Sequence, residues 1–206
     1  MTTPSVGVRT RVPFRLQPRP WLCVEAEMVS FNNLPSGAEH VAILHGSPQP
    51  GCLVRVHSEC LTGDVFGSTR CDCGDQLRES LELIAKEGGV ILYMRQEGRG
   101  IGLYKKLEAY VIQDAGADTF AANEALGRRA DERDYGECAT MLRALGLEEI
   151  ELMTNNPSKI ESLRQSGLTI AAVRSTGLHI TPENADYLQQ KASIGGHSLA
   201  LGKETV

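Results

Sequence analysis

Cys60, Cys71 and Cys73 stand in the segment HSECLTGDVFGSTRCDCGDQL, a C-x10-C-x-C arrangement. Thiolates are soft ligands, and three of them brought to one place can hold a dication such as zinc. The Cys71/Cys73 pair is poorly placed for a relaxed disulfide, because side chains two apart seldom meet the required geometry. Glycines 63, 67 and 74 let the backbone fold around such a site. A structural zinc is usually closed by four protein ligands, whereas a catalytic one keeps a position for water. No further cysteine or histidine has comparable spacing, so the pattern favours an open, catalytic zinc. The plainer alternative is three ordinary small buried residues. Cys23, Cys52 and Cys138 lie in apolar or helical contexts and read as packing residues. His57 reads as a strand residue or as a group that orients a ligand, not as a ligand itself.

Three other segments carry polar chemistry. RQEGRGIGLYKK (95–106) has glycines that admit an anion to the backbone N–H groups, and Arg95, Arg99, Lys105 and Lys106 add charge. It lacks the P-loop pattern, which disfavours a generic nucleotide triphosphatase. TNNPSK (154–159) offers the hydroxyls of Thr154 and Ser158, with Lys159 in a first helical turn. A cation is unfavourable there unless an anion joins it, which points to a ligand. ADERDY (130–135) sets carboxylates beside a guanidinium, either as a base next to a phosphate-binding group or as a helix capping box.

The elements that must position these groups alternate along the chain. Strands are expected near 22–31, 40–46 and 52–57, separated by turn-forming Asn, Pro, Ser and Gly. The period then becomes helical over 75–87, with Leu77, Leu81 and Ile84 on one face and Gly88-Gly89 as the stop. A strand over 90–93, helices over 101–115 and 135–144, a strand over 149–153, a helix over 157–165 and a strand over 168–173 follow. This is an α/β pattern: a single layered α/β/α domain over 1–206 with a mixed sheet and a strand-rich N-terminal third. Residues 1–11 and 193–206 are expected to be loose, although the alternation of Val8 to Val12 also suits an edge strand.

Composition narrows the function. The 206 residues carry 21 Lys plus Arg and 26 Asp plus Glu, a net charge of −5, which disfavours a dedicated nucleic-acid partner. A small phosphorylated ligand remains compatible, since a few local cations suffice for it. No 18-residue apolar run exists, so no membrane span is expected. No apolar segment follows the first residues as in a secretory signal, so a cytoplasmic location with reduced thiols is expected.

Taken together, RVHSECLTGDVFGSTRCDCG, RQEGRGIGL, AYVIQDAGADT, ADERDY and LMTNNPSK resemble the GTP cyclohydrolase II family, in order and approximate spacing, over about residues 12–192. The resemblance implies a zinc enzyme of riboflavin biosynthesis, which converts GTP to 2,5-diamino-6-ribosylamino-4(3H)-pyrimidinone 5′-phosphate, formate and pyrophosphate. It implies zinc on Cys60, Cys71 and Cys73, and magnesium with the polyphosphate. It implies GTP contacts from Arg55, Val56, His57, Ser58 and Glu59, from Gln76, from Glu97, Gly98 and Arg99, and from Thr119, Thr154 and Lys159. Asp131 matches the family's proton acceptor, Arg133 the residue assigned to the α-phosphate, and Tyr110 the tyrosine of the imidazole-ring chemistry. A homodimer is implied as well. Two positions depart from the family pattern: Ala121, where glutamate is common, and Arg128, where an aromatic is common. These leave open a paralogue that stops at a formamide product or serves a specialised pathway. A non-catalytic zinc- and nucleotide-binding protein is the alternative from another class.

Overall fold

The computed structural model describes residues 5–129 and 131–185, with backbone alone at residues 119 and 120. Seven strands form one sheet: β1 (Gly7–Arg19), β2 (Leu22–Asn32), β3 (Val41–His45), β4 (Leu53–Ser58), β5 (Gly89–Met94), β6 (Glu149–Met153) and β7 (Thr169–Arg174). Their order is β1-β2-β3-β5-β4-β6-β7. The first three and β5 pair antiparallel, while β5, β4, β6 and β7 run parallel. The sheet is mixed, as expected, and its N-terminal third is the strand-rich part. Of the two readings of residues 1–11, the loose segment is corrected for Gly7 to Arg11, which belong to β1 and pair with β2 as the edge strand, while residues 1–4 lie outside the described residues. Residues 193–206, also expected to be loose, lie outside the described residues.

Among the described residues six α-helices accompany the sheet: α1 (Leu61–Asp64), α2 (Cys73–Glu87), α3 (Leu103–Asp114), α4 (Thr119–Ala125), α5 (Gly136–Ala144) and α6 (Pro157–Gln165). Strand alternation sorts them onto two faces. Val54 and Val56 of β4, with Val90, Leu92 and Met94 of β5, pack against Cys138, Met141 and Leu142 of α5 and Leu163 of α6. The intervening Leu53 and Ile91 pack against Leu81 and Ile84 of α2 on the opposite face. Near-continuous apolar runs in β4 and β5 are what a parallel strand covered on both faces requires.

Two short helices, α1 and α4, were not legible as periodic segments. A helix of four residues presents no repeat to detect. α2 starts two residues ahead of the expected Asp75, because Asp72 takes the N-cap position and its backbone carbonyl accepts from the Gln76 amide at 3.0 Å. This places Cys73 at the first position of a 15-residue helix.

β4 lies at the point where the chain reverses direction across the sheet: β5 flanks it on one side and β6 on the other. In parallel sheets the crevice beyond the carboxyl ends of the strands at such a point receives ligands.

Candidate active site

A cavity of about 460 Å³ opens beyond Ser58, Met94 and Met153, the last residues of β4, β5 and β6. Its wall includes Cys60, Cys71 and Cys73, and also Arg99, Arg133, Thr154 and Lys159. Arg55, His57, Ser58, Glu59, Gln76, Glu97, Gly98 and Tyr110 complete the sequence-derived residues along it.

The three sulfurs come together from two structural sources. Cys60 immediately precedes α1, while Cys71 and Cys73 enter α2. All three Sγ atoms lie within 4.8 Å of one another, and Cys60 and Cys71 are 3.6 Å apart. A tetrahedral zinc with bonds of about 2.3 Å needs sulfurs about 3.8 Å apart, so the donor set fits that ion in both type and spacing. The cradle has no room to spare: a Cβ on Gly63 would stand 2.8 Å from Cys71 Sγ and 3.3 Å from Cys60 Sγ. Within the cluster, hydrogen bonds from the Cys71 and Cys73 thiols hold Cys60 far below its ordinary range, and the Lys106 ammonium adds to this. Cys71, as the donor to Cys60, is pushed up to about 11.

A carboxylate fixes the start of the cluster. Asp64 accepts from the Cys60 amide at 3.0 Å, from the Tyr93 hydroxyl at 2.8 Å and from His57 Nε2 at 3.1 Å. His57 stacks on Tyr93 with ring centroids 5.6 Å apart. Burial pulls the His57 imidazole down against the pull of Asp64, so the ring stays neutral. His57 therefore orients Cys60 through Asp64, consistent with reading it as an orienting group. Asp64 and Tyr93 carried no signal of their own in the sequence. An acid four residues after Cys60, where a short helix would return it to the first turn, is the only hint they leave.

The charged wall is built differently from its appearance in sequence. Of the four cations in 95–106, Arg95 pairs with Glu59 at 2.9 Å and Lys105 with Glu108 at 2.6 Å. Lys106 turns inward, 3.1 Å from Cys60 Sγ, 2.8 Å from Glu97 Oε1 and 3.0 Å from Thr62 Oγ1. Burial opposes its charge, but Cys60 and Glu97 outweigh it and raise the ammonium's pKa. Tyr110 lies one helical turn further on, so i,i+4 spacing could have linked the two. The Tyr110 hydroxyl is 3.5 Å from Thr62 Oγ1, and Arg70 covers its ring at 4.8 Å. Burial pushes this phenol up, so it stays protonated near neutrality.

Glu97 to Gly100 form a 3-10 turn in which both Gly98 and Arg99 have φ near +60°. The turn packs on the 131–135 segment. Arg99 O accepts from the Glu132 amide at 2.8 Å, and a Cβ on Gly100 would stand 2.9 Å from the Glu132 carbonyl carbon. Arg133 grips Asp131 through Nε at 2.9 Å and through a second, shorter contact. Desolvation pushes the Asp131 carboxyl up, but Arg133 outweighs it, and the net shift is below the usual carboxylate range. ADERDY is thus a carboxylate–guanidinium unit, and not a capping box: Tyr135 takes the N-cap position of α5 and makes no side-chain cap bond.

In TNNPSK, the Asn156 side chain caps α6 by accepting from the Ser158 amide at 2.9 Å, with Pro157 in the first turn. Lys159 is buried and donates to Val56 O at 2.7 Å. Val56 points its side chain into the α5/α6 core, so only its backbone reaches the site region. Arg55 bonds Gln76 Oε1 at 2.9 Å and Met153 O at 3.2 Å. Arg55 Nε and His57 Nδ1 are buried with no hydrogen-bond partner among the described residues, an arrangement that a polar ligand relieves. Thr119 opens α4, and its side chain lies outside the described residues.

Neither of the two departures from the family pattern, Ala121 and Arg128, is among the residues that line the cavity. Arg128 pairs with Glu132 at 2.6 Å, and the Ala121 amide donates to Asp118 at 2.8 Å. Nothing in this arrangement favours a reaction that ends at the formamide.

A family model described as GTP cyclohydrolase II matches residues 18–175. A GTP cyclohydrolase-2 of Vibrio cholerae is 50% identical over 197 residues, covering 94% of this chain and 98% of that protein. A GTP cyclohydrolase-2 of Aliivibrio salmonicida is 51% identical over 202 residues, with 97% and 95% covered. One of Psychromonas ingrahamii is 48% identical over 200 residues, with 95% and 93% covered. No helix among the described residues is long and apolar enough to cross a membrane. On a family match over most of its length and about 50% identity to these relatives, the chain belongs to the GTP cyclohydrolase II family.

Proposed function

We propose that this chain opens the imidazole ring of GTP and releases formate and pyrophosphate, leaving 2,5-diamino-6-ribosylamino-4(3H)-pyrimidinone 5′-phosphate. The observation that carries this reading is one cavity lined both by a cluster of three cysteine sulfurs and by a buried lysine and two arginines. That combination suits a substrate whose base and polyphosphate need different chemistry.

Cys60, Cys71 and Cys73 would hold zinc, which would supply Lewis-acid chemistry for the hydration of guanine C8. The residues do the rest. Tyr110, kept as a phenol by burial, gives a proton to the ring nitrogen freed when its bond to C8 breaks. A formamide remains on the other nitrogen, and a second water cleaves it to formate. Arg55, His57, Ser58, Glu59 and Gln76 hold the base, along with the Val56 backbone.

Glu97 and Gly98 shape the turn that presents Arg99. Arg99, Lys159, Thr154 and Thr119 bind the phosphates, together with magnesium. Asp131 accepts a proton from water that attacks the α-phosphorus, and the pyrophosphate leaves. Arg133, held by Asp131 and permanently charged, stabilises the developing charge on the phosphate oxygens, and a covalent role is not required of it. The chain acts as one catalytic domain in the cytoplasm, where thiols stay reduced. A homodimer is proposed too: Tyr104, Leu107 and Val111 form an exposed apolar stripe at i, i+3 and i+7 on α3, which a second copy would cover.

The test is incubation of the zinc-loaded protein with GTP and magnesium, following formate, pyrophosphate and the mass of the pyrimidine product. Neither product appearing, with zinc bound, overturns the reading. Cys71→Ser should lose zinc and formate release together, and retained formate would contradict the ligand assignment.

A further inference from the structure

His40 stands one residue before β3, outside the cavity, and is only 2% exposed. Its two ring nitrogens are both engaged, in opposite senses. Nδ1 accepts from the Arg95 backbone amide at 3.0 Å. An amide N–H can only donate, so Nδ1 carries a lone pair and the ring proton sits on Nε2. Nε2 then donates to Glu137 Oε2 at 3.1 Å. Glu137 is anchored in turn by Ser36, whose amide and hydroxyl donate to it at 2.5 and 2.8 Å.

The positions of these partners matter. Arg95 is the residue that leaves β5 for the 96–102 loop, and Glu137 lies in the first turn of α5, directly after the 131–135 segment. The two loops already meet at their tips through Arg99 O and the Glu132 amide, and at their bases through Gln96 Nε2, which donates to Asp134 O. His40 supplies a third point of attachment from the antiparallel half of the sheet.

We propose that His40 is a positioning residue for the reaction: its Nδ1 lone pair, oriented by the Nε2–H bond to Glu137, sets where Arg95 ends β5. It thereby sets the spacing between the loop bearing Glu97 and Arg99 and the loop bearing Asp131 and Arg133. The inference rests on the function proposed above.

Two amides divide the imidazole's roles. In His40→Asn the carboxamide oxygen can take the Nδ1 place, keeping an acceptor for Arg95 but losing the donor to Glu137. In His40→Gln the amide nitrogen can take the Nε2 place, keeping the donor but losing the acceptor. His40→Gln should lower kcat for formate release by about 10- to 100-fold, the range expected when a reacting group is misplaced by about 1 Å. His40→Asn should fall less than about threefold, although both lose a hydrogen bond of similar worth and so similar stability. Zinc content should be equal in the two. Amide exchange over residues 95–102, measured without GTP, should be faster in His40→Gln than in His40→Asn.

Equal losses of activity in the two variants, or an unchanged exchange rate in His40→Gln, overturn the proposal. If His40→Gln does not fold, Glu137→Ala, which frees the ring, should still speed exchange over 95–102, and no change there overturns it. A wild type that releases no formate would defeat the assigned function, while the exchange comparison still decides the role of His40.

Discussion

Lys106 donates to the Cys60 sulfur at 3.1 Å while its ammonium also binds Glu97 at 2.8 Å. One buried cation therefore joins the cysteine cluster to the turn that carries Arg99. The charge balance is local: a thiolate and a carboxylate converge on one ammonium, and Thr62 Oγ1 takes another of its hydrogens. Lys106→Met keeps the aliphatic stem and removes the charge. Breaking one member of a buried pair costs about 3–5 kcal/mol, because the other charge is left uncompensated. Urea unfolding should show a loss of that order, and zinc affinity should fall by about 10- to 100-fold, as for other supports of metal ligands. Adding Glu97→Gln should recover part of the stability but none of the zinc affinity. Full zinc affinity in Lys106→Met would show that the ammonium does not support Cys60.

Gly63 is a position where one methyl group decides the site. Its Cβ would press on two of the three sulfurs. Gly63→Ala should displace Cys71 or Cys60 and lower zinc stoichiometry, measured by metal analysis after dialysis. The helical content should remain, since α2 has its own packing through Leu81 and Ile84. A variant with full zinc content would show that the cluster relaxes more easily than its spacing indicates.

Gly100 tests the contact between the two loops. It has φ +92°, a conformation that side chains rarely adopt, and its missing Cβ faces Glu132. Gly100→Ala should push the 131–135 segment away from Arg99 and reduce pyrophosphate release by about 100-fold, on the scale of a 1 Å misplacement. Zinc binding should persist, because the atoms that a Cβ on Gly100 would meet belong to Glu132 and Arg133 and not to the cysteine cluster. Loss of zinc with loss of activity would point to general unfolding instead.

The pH dependence of stability follows from His40. Burial lowers its pKa below 6.5, against the opposing pull of Glu137, while Arg95 adds to the lowering and Glu59 opposes it. The unfolded chain binds a proton here more readily than the folded one. Stability from the neutral ring is therefore full above about pH 6.5 and declines as pH falls below it. His40→Asn removes the titrating group, so its stability deficit should be larger at pH 7.5 than at pH 5.5. Urea midpoints of both proteins at the two pH values test this, and a deficit that grows toward pH 5.5 would contradict it.

Many of the residues that the structure brings around one cavity were legible in sequence because their signals are short-range. The C-x10-C-x-C spacing identified Cys60, Cys71 and Cys73, and the structure brings their sulfurs within 4.8 Å. In the structure Val56 packs into the α5/α6 core while Arg55 and His57 line the cavity, as alternation along β4 requires. Lys159, an electrostatically awkward cation in a first turn, does line the cavity. What escaped were partnerships between distant segments. Nothing in RQEGRGIGLYKK distinguishes Lys106, which turns to Cys60, from Lys105, which pairs with Glu108 on the exposed face. Asp64 and Tyr93 are 29 residues apart, and only the adjacency of β4 and β5 joins them to His57.

The sequence by itself determined which groups this protein possesses, the alternation of strands and helices, and the family to which those motifs correspond. Such information is carried by residue type and local period, which no distant contact alters. The tertiary structure alone decided that β1 is a paired edge strand, which cations face inward, and that His40, outside every motif, clasps both loops. Those outcomes depend on strand order, since the sheet sequence β3-β5-β4-β6 brings residues 40, 95 and 137 together across the chain. A hydrogen bond between such segments leaves no periodic trace, because its partners are chosen by packing and not by spacing.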